Sequence, residues 1–192
     1  MSRSAAKVRD LTLMAMFCAM LAVSGTFAIH VGPAPITLQT LVVMLAGSVL
    51  GARRGMICML AFIALAIAGA PVLSGGKSGV AALIGPTGGY IVSWVFAAGV
   101  IGWMVERWIK NGSLKAWKLG LAHIAGGVIL IHLIGFPWLI TVLDLPFNQT
   151  TLISSLVIFL PGDLMKAMVA VPVVLAVKKA LPQLSGVQQK RA

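Results

Sequence analysis

Two charged residues, Asp163 and Lys166, lie inside a long apolar stretch near the end of the sequence. They are three residues apart, so their side chains share one face of a helix. Asp163 lies about twelve residues into the stretch that begins at Thr151, a depth of roughly 18 Å and close to the middle of a membrane. An isolated charge there costs several kcal/mol, so the pair predicts either a binding site in a cavity or a structural salt bridge.

Pro161 and Gly162 come directly before this pair and predict an interruption of the helix. Proline has no backbone N–H and disturbs the turn that precedes it. The interruption leaves free N–H groups next to Asp163. Broken helices are tolerated at membrane depth where they line a cavity, so the interruption favours a binding site over a salt bridge.

Three further polar residues are candidate contacts for a bound molecule. Lys77 lies in a glycine-rich loop, residues 74–79, that could close over an anion; the alternative is an ordinary exposed lysine. Tyr90 follows the Gly/Pro-rich residues 85–89 and is either a pocket wall or a residue of the aromatic belt at the membrane interface. Gln39 can donate and accept hydrogen bonds, either to a ligand or to a neighbouring helix.

The other reactive residue types form no catalytic or metal-binding pattern. His30, His123 and His132 have no shared metal-ligand spacing and are expected to be packing residues. Cys18 and Cys58 lie inside apolar stretches, where cysteine usually acts as a small hydrophobic residue. We find no nucleophile–base pair, no zinc-type spacing and no P-loop in the sequence. The residues therefore predict a binding protein rather than an enzyme, with no cofactor and no metal.

The composition requires much of the surface to face lipid. Of 192 residues, 59% are hydrophobic and 10% are charged, and the mean hydropathy is +1.02, whereas soluble domains carry about 25% charged residues. The net charge of +11 would suggest nucleic acid as the partner of a soluble protein. Here the basic residues lie between apolar stretches, where they set the membrane orientation and contact anionic lipid. An integral membrane protein that does not bind nucleic acid is predicted.

The apolar stretches predict six transmembrane helices, each of which needs about 20 apolar residues. The predicted spans are residues 11–31, 36–51, 56–73, 90–109, 119–142 and 151–177. Residues 80–84 are too few to span and are expected to form a short helix or a re-entrant segment. The whole chain, residues 1–192, is predicted to be one all-α domain, a six-transmembrane-helix bundle.

The basic residues predict the orientation of this bundle. Six spans place both termini and the loops around residues 52–55 and 110–118 on one side, together with thirteen of the fifteen Lys and Arg residues. The other side holds only Lys77, and Lys166 lies within a span. Because cytoplasmic loops carry an excess of Lys and Arg, both termini are predicted to be cytoplasmic and the Gly/Pro-rich loops to face outward.

Small residues recur at helical spacing on the first helix. Ala15 and Ala19 are four residues apart, and Ala22 and Gly25 follow. Small residues at this spacing let two helices approach closely. They predict either a contact within the bundle or a face for a partner protein.

Three motifs occur along nearly the whole chain in the order and spacing of a known family. They are Pro35-Ile36-Thr37-Leu38-Gln39-Thr40, Gly85-Pro86-Thr87-Gly88-Gly89-Tyr90 and Pro161-Gly162-Asp163-Leu164-Met165-Lys166. Together they resemble the BioY family, the biotin-binding substrate-specific components (S components) of energy-coupling-factor (ECF) transporters. The resemblance implies a six-helix bundle in the bacterial plasma membrane that binds biotin near its outer face. It also implies a transmembrane coupling protein, on which Ala15 and Ala19 dock, and two cytoplasmic ATPases that hydrolyse the ATP.

The candidate residues suit biotin chemically, and we assign each of them a role as a hypothesis. Asp163 accepts hydrogen bonds from the ureido N–H groups of biotin, while Lys166 neutralises Asp163 and donates to the ureido oxygen. Tyr90 packs on the ring system, Lys77 meets the carboxylate at the outer rim, and Gln39 completes the predicted substrate-binding set.

Two other functions remain as alternatives. A proton-coupled secondary carrier of a small vitamin-like solute would use Asp163 to exchange a proton, and such carriers usually contain inverted repeats, which we do not find. An intramembrane enzyme would need a catalytic constellation, which these residues do not form.

Overall fold

The computed structural model describes residues 3–30, 34–112 and 114–181, and these residues are almost entirely helical. The elements in chain order are α1 (Arg3–Thr26), β1 (Ala28–His30), β2 (Pro35–Thr37), α2 (Gln39–Leu50), α3 (Ala52–Ile67), a 3₁₀ turn (Ser74–Gly76), α4 (Val80–Ile84), α5 (Gly88–Lys110), α6 (Ala116–Ala122), a π-helical segment (His123–Leu130), α7 (Ile131–Val142), α8 (Gln149–Ser155), a 3₁₀ turn (Val157–Phe159) and α9 (Leu160–Ala180). The all-α class is confirmed, and so is the short helix predicted for residues 80–84.

Four helical segments are long and apolar enough to cross a membrane. They are Ser4–Thr26, Gly88–Lys110, Ala116–Val142 and Gln149–Ala180. The α2 helix has 12 residues and α3 has 16, and both are shorter than the roughly 20 residues of a full span. Four of the six predicted spans therefore have the required length, and the count of six stays a prediction.

The first two helices have other end points than the first two predicted spans. The α1 helix begins at Arg3 rather than at residue 11, because charged residues can extend a helix beyond its apolar part. It ends at Thr26, and the predicted end at residue 31 lies outside the described residues. Strands β1 and β2 then pair antiparallel, with Ile29 opposite Ile36, so α2 begins at Gln39 and not at residue 36.

A turn of one residue joins α2 to α3. Gly51 has φ +82, a conformation that glycine adopts without the steric cost met by other residues. A side chain there would also collide with Glu106, whose carboxylate accepts a hydrogen bond from the backbone N–H of Ala52 at 3.2 Å. The two short helices therefore form a tight hairpin with Arg53 and Arg54 at its turn, and α3 begins at Ala52 instead of the predicted residue 56.

The centre of the bundle is formed by α2 and α5. Ten of the twelve residues of α2 are buried, and this helix packs against α1, α3, α5 and α9. Glycines permit the close approach: a Cβ at Gly47 would lie 2.8 Å from the Ala98 carbonyl oxygen, and one at Gly102 would overlap the backbone at Gly51 and Ala52. A helix buried on all sides needs neither the length nor the lipid-facing surface of a peripheral span.

The predicted fifth span contains an eight-residue π-helical segment, His123–Leu130, between α6 and α7. Within it, His123 is fully buried. Its Nδ1 donates to the Ala167 carbonyl oxygen at 3.3 Å, and its Nε2 accepts from the Ser48 hydroxyl at 2.8 Å. This histidine links the fifth span to α2 and α9, the two elements that carry the polar cluster described below.

Candidate functional site

The site begins at a break in the last long helical segment. The α8 helix ends at Ser155, a 3₁₀ turn follows, and α9 starts at Leu160 with Pro161 in its first turn. Pro161 and Gly162 were predicted to interrupt the helix, but the interruption lies a few residues earlier and these two residues begin the new helix. Proline is tolerated there because the N–H groups of a first helical turn have no hydrogen-bond partner within the helix. The break leaves Asp163 in the first turn of α9, where the helix dipole favours a negative charge.

Asp163 is the centre of a buried polar cluster drawn from three helices. Lys166 Nζ donates to Asp163 Oδ1 at 2.9 Å and to the Thr40 hydroxyl at 3.0 Å, and that hydroxyl donates to Oδ1 at 3.3 Å. His132 Nε2 lies 2.9 Å from Oδ2, and because a carboxylate only accepts, Nε2 carries the proton. Asp163 and Lys166 are 6% and 9% exposed, so each charge depends on these partners.

This cluster forms the inner end of a pocket. The wall next to the cluster is aromatic, with Tyr90 and Trp94 from α5 and Phe159 from the 3₁₀ turn before α9. The rest of the wall comes from β2, α2, α4, α7 and the loop that carries Lys77. All five residues predicted to bind substrate line this pocket: Asp163, Lys166, Lys77, Tyr90 and Gln39. The structure thus brings them together, and their contact with substrate stays a prediction.

Lys77 and Ser74 lie where the glycine-rich loop borders the pocket. Gly75 and Gly76 have φ +69 and +73, which turns the chain sharply between the two polar residues. Lys77 is exposed, whereas the cluster at Asp163 is buried. The pocket therefore has a cation at its exposed edge and a buried polar cluster, and aromatic side chains also line it.

Tyr90 fits against α7 because residue 135 is glycine. A Cβ at Gly135 would overlap the Tyr90 ring. The ring meets His132 edge-on with 5.6 Å between centroids, and the tilted His132 and Phe159 rings lie 6.3 Å apart. These contacts fix the orientation of the imidazole against Asp163.

Gln39 has a structural role as well as a place in the pocket wall. Its side-chain Nε2 donates to the Leu21 and Val72 carbonyl oxygens, both at 3.3 Å, and the residue is 1% exposed. Gly25 makes room for it, since a Cβ there would lie 2.8 Å from Nε2. The amide nitrogen of Gln39 therefore links α2 to α1 and to the loop after α3, which supports the predicted role in helix packing.

Four buried side-chain polar atoms have no hydrogen-bond partner in the described part of the chain, and all four belong to pocket residues. They are Ser74 Oγ, Tyr90 Oη, Trp94 Nε1 and His132 Nδ1. Buried polar groups are nearly always paired in folded proteins. Their concentration in one pocket favours this pocket as the binding site of a polar ligand.

Comparison with known proteins decides the family. The sequence model of the BioY family matches residues 1–183. This chain belongs to the BioY family. It is 42% identical to the biotin transporter BioY of Rhizobium etli, over 84% of this chain and 89% of that one. It is 38% identical to the biotin transporter BioY of Lactococcus lactis subsp. cremoris, over 90% and 92% of the two chains.

A BioY-type fold is also seen in a solved structure. The crystal structure of the S component for biotin from an ECF-type ABC transporter superimposes with a TM-score of 0.85. The two chains are 35% identical, and the match covers 93% of this chain and 95% of the other. The family resemblance inferred from the three motifs is confirmed.

Four pocket residues of this BioY family member were not predicted from its sequence. Thr40 stands in the first motif, but its hydroxyl could not be assigned to Asp163 before α2 and α9 were placed side by side. His132 was expected to be a packing residue, and the structure puts it against the carboxylate. Ser74 and Trp94 had no signal beyond their positions near a glycine loop and a helix start.

Ala15 and Ala19, the predicted docking residues, lie on an exposed face of α1. Large apolar residues surround them on the same helix, including Met16, Met20 and Val23, which are 48%, 39% and 61% exposed. Ala15 and Ala19 face away from the bundle, whereas Gly25 of the same series is buried against Gln39 and Val72. The docking role of the two alanines stays a prediction.

Proposed function

We propose that this protein takes up biotin as the substrate-binding S component of an ECF transporter in the bacterial plasma membrane. It binds biotin with high affinity in the pocket beside Asp163 and delivers it across the membrane with an ATP-hydrolysing module. The family membership supports this proposal, as do relatives named as biotin transporters. The function is transport and not catalysis.

The observation that carries the proposal is the combination of side chains that line one pocket: a buried ion pair, aromatic rings and an exposed lysine. Biotin has a polar ureido ring, an apolar sulfur ring and a carboxylate at the end of an aliphatic chain. The interior cluster of Asp163 and Lys166 suits the ureido group, the aromatic wall with Tyr90 suits the fused rings, and Lys77 at the rim suits the carboxylate. Gln39 also lines the pocket.

The proposed orientation places both termini in the cytoplasm and counts six spans, with α2 and α3 crossing as a hairpin. Arg53 and Arg54 at the hairpin turn support a cytoplasmic position for it. The pocket rim with Lys77 then faces outward, the side from which a nutrient arrives.

The proposed partners are a transmembrane coupling protein and two cytoplasmic ATPase subunits. The exposed small residues Ala15 and Ala19 support α1 as the docking face, because they let a partner helix approach closely. No residue of α1 lines the pocket in the described part of the chain, so binding and docking use different surfaces.

Calorimetric titration of the purified protein tests the ligand. Biotin is expected to bind, while riboflavin, thiamine and pantothenate bind at least about a hundredfold more weakly, because none of them has a cyclic urea with two N–H donors. Absence of heat with biotin, or similar affinity for another vitamin, contradicts the proposal.

A further inference from the structure

The Asp163 carboxylate has limited room for a ligand. Its Oδ1 already accepts from Lys166 and Thr40, and its Oδ2 accepts from His132. A carboxylate offers about four lone-pair sites, two on each oxygen. Only Oδ2 therefore has a site left. A cyclic urea presents two N–H donors, so one of them needs a second acceptor.

His132 Nδ1 has the properties of that acceptor. The residue is 7% exposed, and Nδ1 has no hydrogen-bond partner in the described part of the chain. The proton on Nε2 is held by Asp163 Oδ2 at 2.9 Å. The charges of Asp163 and Lys166 already balance, so a protonated imidazole would leave one buried cation without a counter-charge. In the tautomer that carries its proton on Nε2, Nδ1 has a lone pair and can accept.

The three other unpaired atoms do not replace it. Trp94 Nε1 is a donor only. The hydroxyl groups of Ser74 and Tyr90 can accept, but neither is hydrogen-bonded to the Asp163 cluster. Of the four unpaired atoms, Nδ1 of His132 alone belongs to a side chain that is hydrogen-bonded to the Asp163 carboxylate, through Nε2 of the same ring.

We propose that His132 is a specificity-determining residue of the pocket, whose Nδ1 accepts one ureido N–H of the ligand while Asp163 Oδ2 accepts the other. This inference rests on the proposed function, because it takes the ligand to be biotin. The packing of His132 against Tyr90 and Phe159 holds the imidazole ready for this contact. The site then selects a ring with two free N–H groups.

A cycle of protein and ligand changes tests the contact. Binding is measured by calorimetry for biotin and for its two derivatives methylated on one or the other ureido nitrogen. The proteins are the wild type, His132→Gln and His132→Phe, which lack Nδ1, and His132→Asn, whose amide lies near the Nδ1 position. Gel filtration in detergent confirms that each variant is folded.

In the wild type, each methyl group is expected to weaken binding about tenfold, the loss of one hydrogen bond. In His132→Gln and His132→Phe, biotin binds about tenfold more weakly, and methylation of one of the two ureido nitrogens no longer lowers the affinity further. His132→Asn retains both penalties. If His132 has a purely structural role, its variants bind biotin more weakly but each methyl group still lowers the affinity as in the wild type, and this result would overturn the inference. Unchanged biotin affinity in His132→Gln and His132→Phe would overturn it as well. A wild type that does not bind biotin overturns the proposed function as well, so the two failures are distinguishable.

Discussion

At the scale of single residues, the site depends on how a buried charge is compensated. Asp163 has three partners on three helices, and Lys166 has two. Removing one member of a buried ion pair typically costs about 3–5 kcal/mol, because the other charge is left without compensation. A substitution that keeps the shape of the side chain, such as Asp163→Asn, therefore tests recognition with less damage to the fold than Asp163→Ala.

Lys77 differs from this cluster because it is exposed, so its contribution to binding is modest. Lys77→Gln is expected to weaken biotin binding about two- to fivefold, the range of an exposed ion pair. The methyl ester of biotin, which has no carboxylate charge, should bind both proteins equally. Titrations of acid and ester against the variant measure this difference.

Lys110→Gln is the matched control. Lys110 is an exposed lysine at the end of α5 that is far from the pocket residue Tyr90, so this variant should bind both ligands as the wild type does. An equal loss for acid and ester in Lys77→Gln would show that the lysine does not meet the carboxylate.

At the scale of elements, apolar length predicted where the helical segments lie but not how they end. The charged residues of α1, Lys7 and Arg9 among them, are helical although hydropathy assigns them to no span. The β1–β2 hairpin stands where helix was predicted. Its strands pair residues 28–30 with residues 35–37, and hydropathy carries no information about such pairing. The partners of Asp163 at Thr40 and His132 come from helices distant in sequence, and no local pattern specifies such contacts.

The hairpin of α2 and α3 predicts a labelling pattern that tests six spans. In a background with Cys18→Ala and Cys58→Ala, Arg53→Cys should react with a membrane-impermeant maleimide only after the membrane is permeabilised. Ser78→Cys, next to the pocket rim, should react in intact cells, because the proposed orientation places that loop outside. Reaction of Arg53→Cys in intact cells would contradict the crossing of α2 and α3.

At the scale of the whole molecule, the pocket and the exposed face of α1 are separate surfaces. Ala19→Trp is therefore expected to leave biotin affinity within about twofold, as for additive distant sites, while it abolishes co-purification with the coupling protein and ATPases. The large indole prevents close approach of a partner helix.

Ala176→Trp, at an exposed alanine of α9, is the matched control and should assemble normally. Assembly that is equally impaired in both variants, or intact in Ala19→Trp, would remove α1 as the docking face.

The central claim is that the Asp163 cluster recognises biotin, and one titration tests it most directly. Calorimetry compares the wild type, Asp163→Asn and Asp144→Asn, the last carrying the same substitution at an exposed position. Asp163→Asn should weaken biotin binding about ten- to a hundredfold, since a hydrogen bond to a charged group contributes roughly 1.5–3 kcal/mol. Asp144→Asn should bind as the wild type does. Full retention of biotin affinity by a folded Asp163→Asn protein would contradict the account.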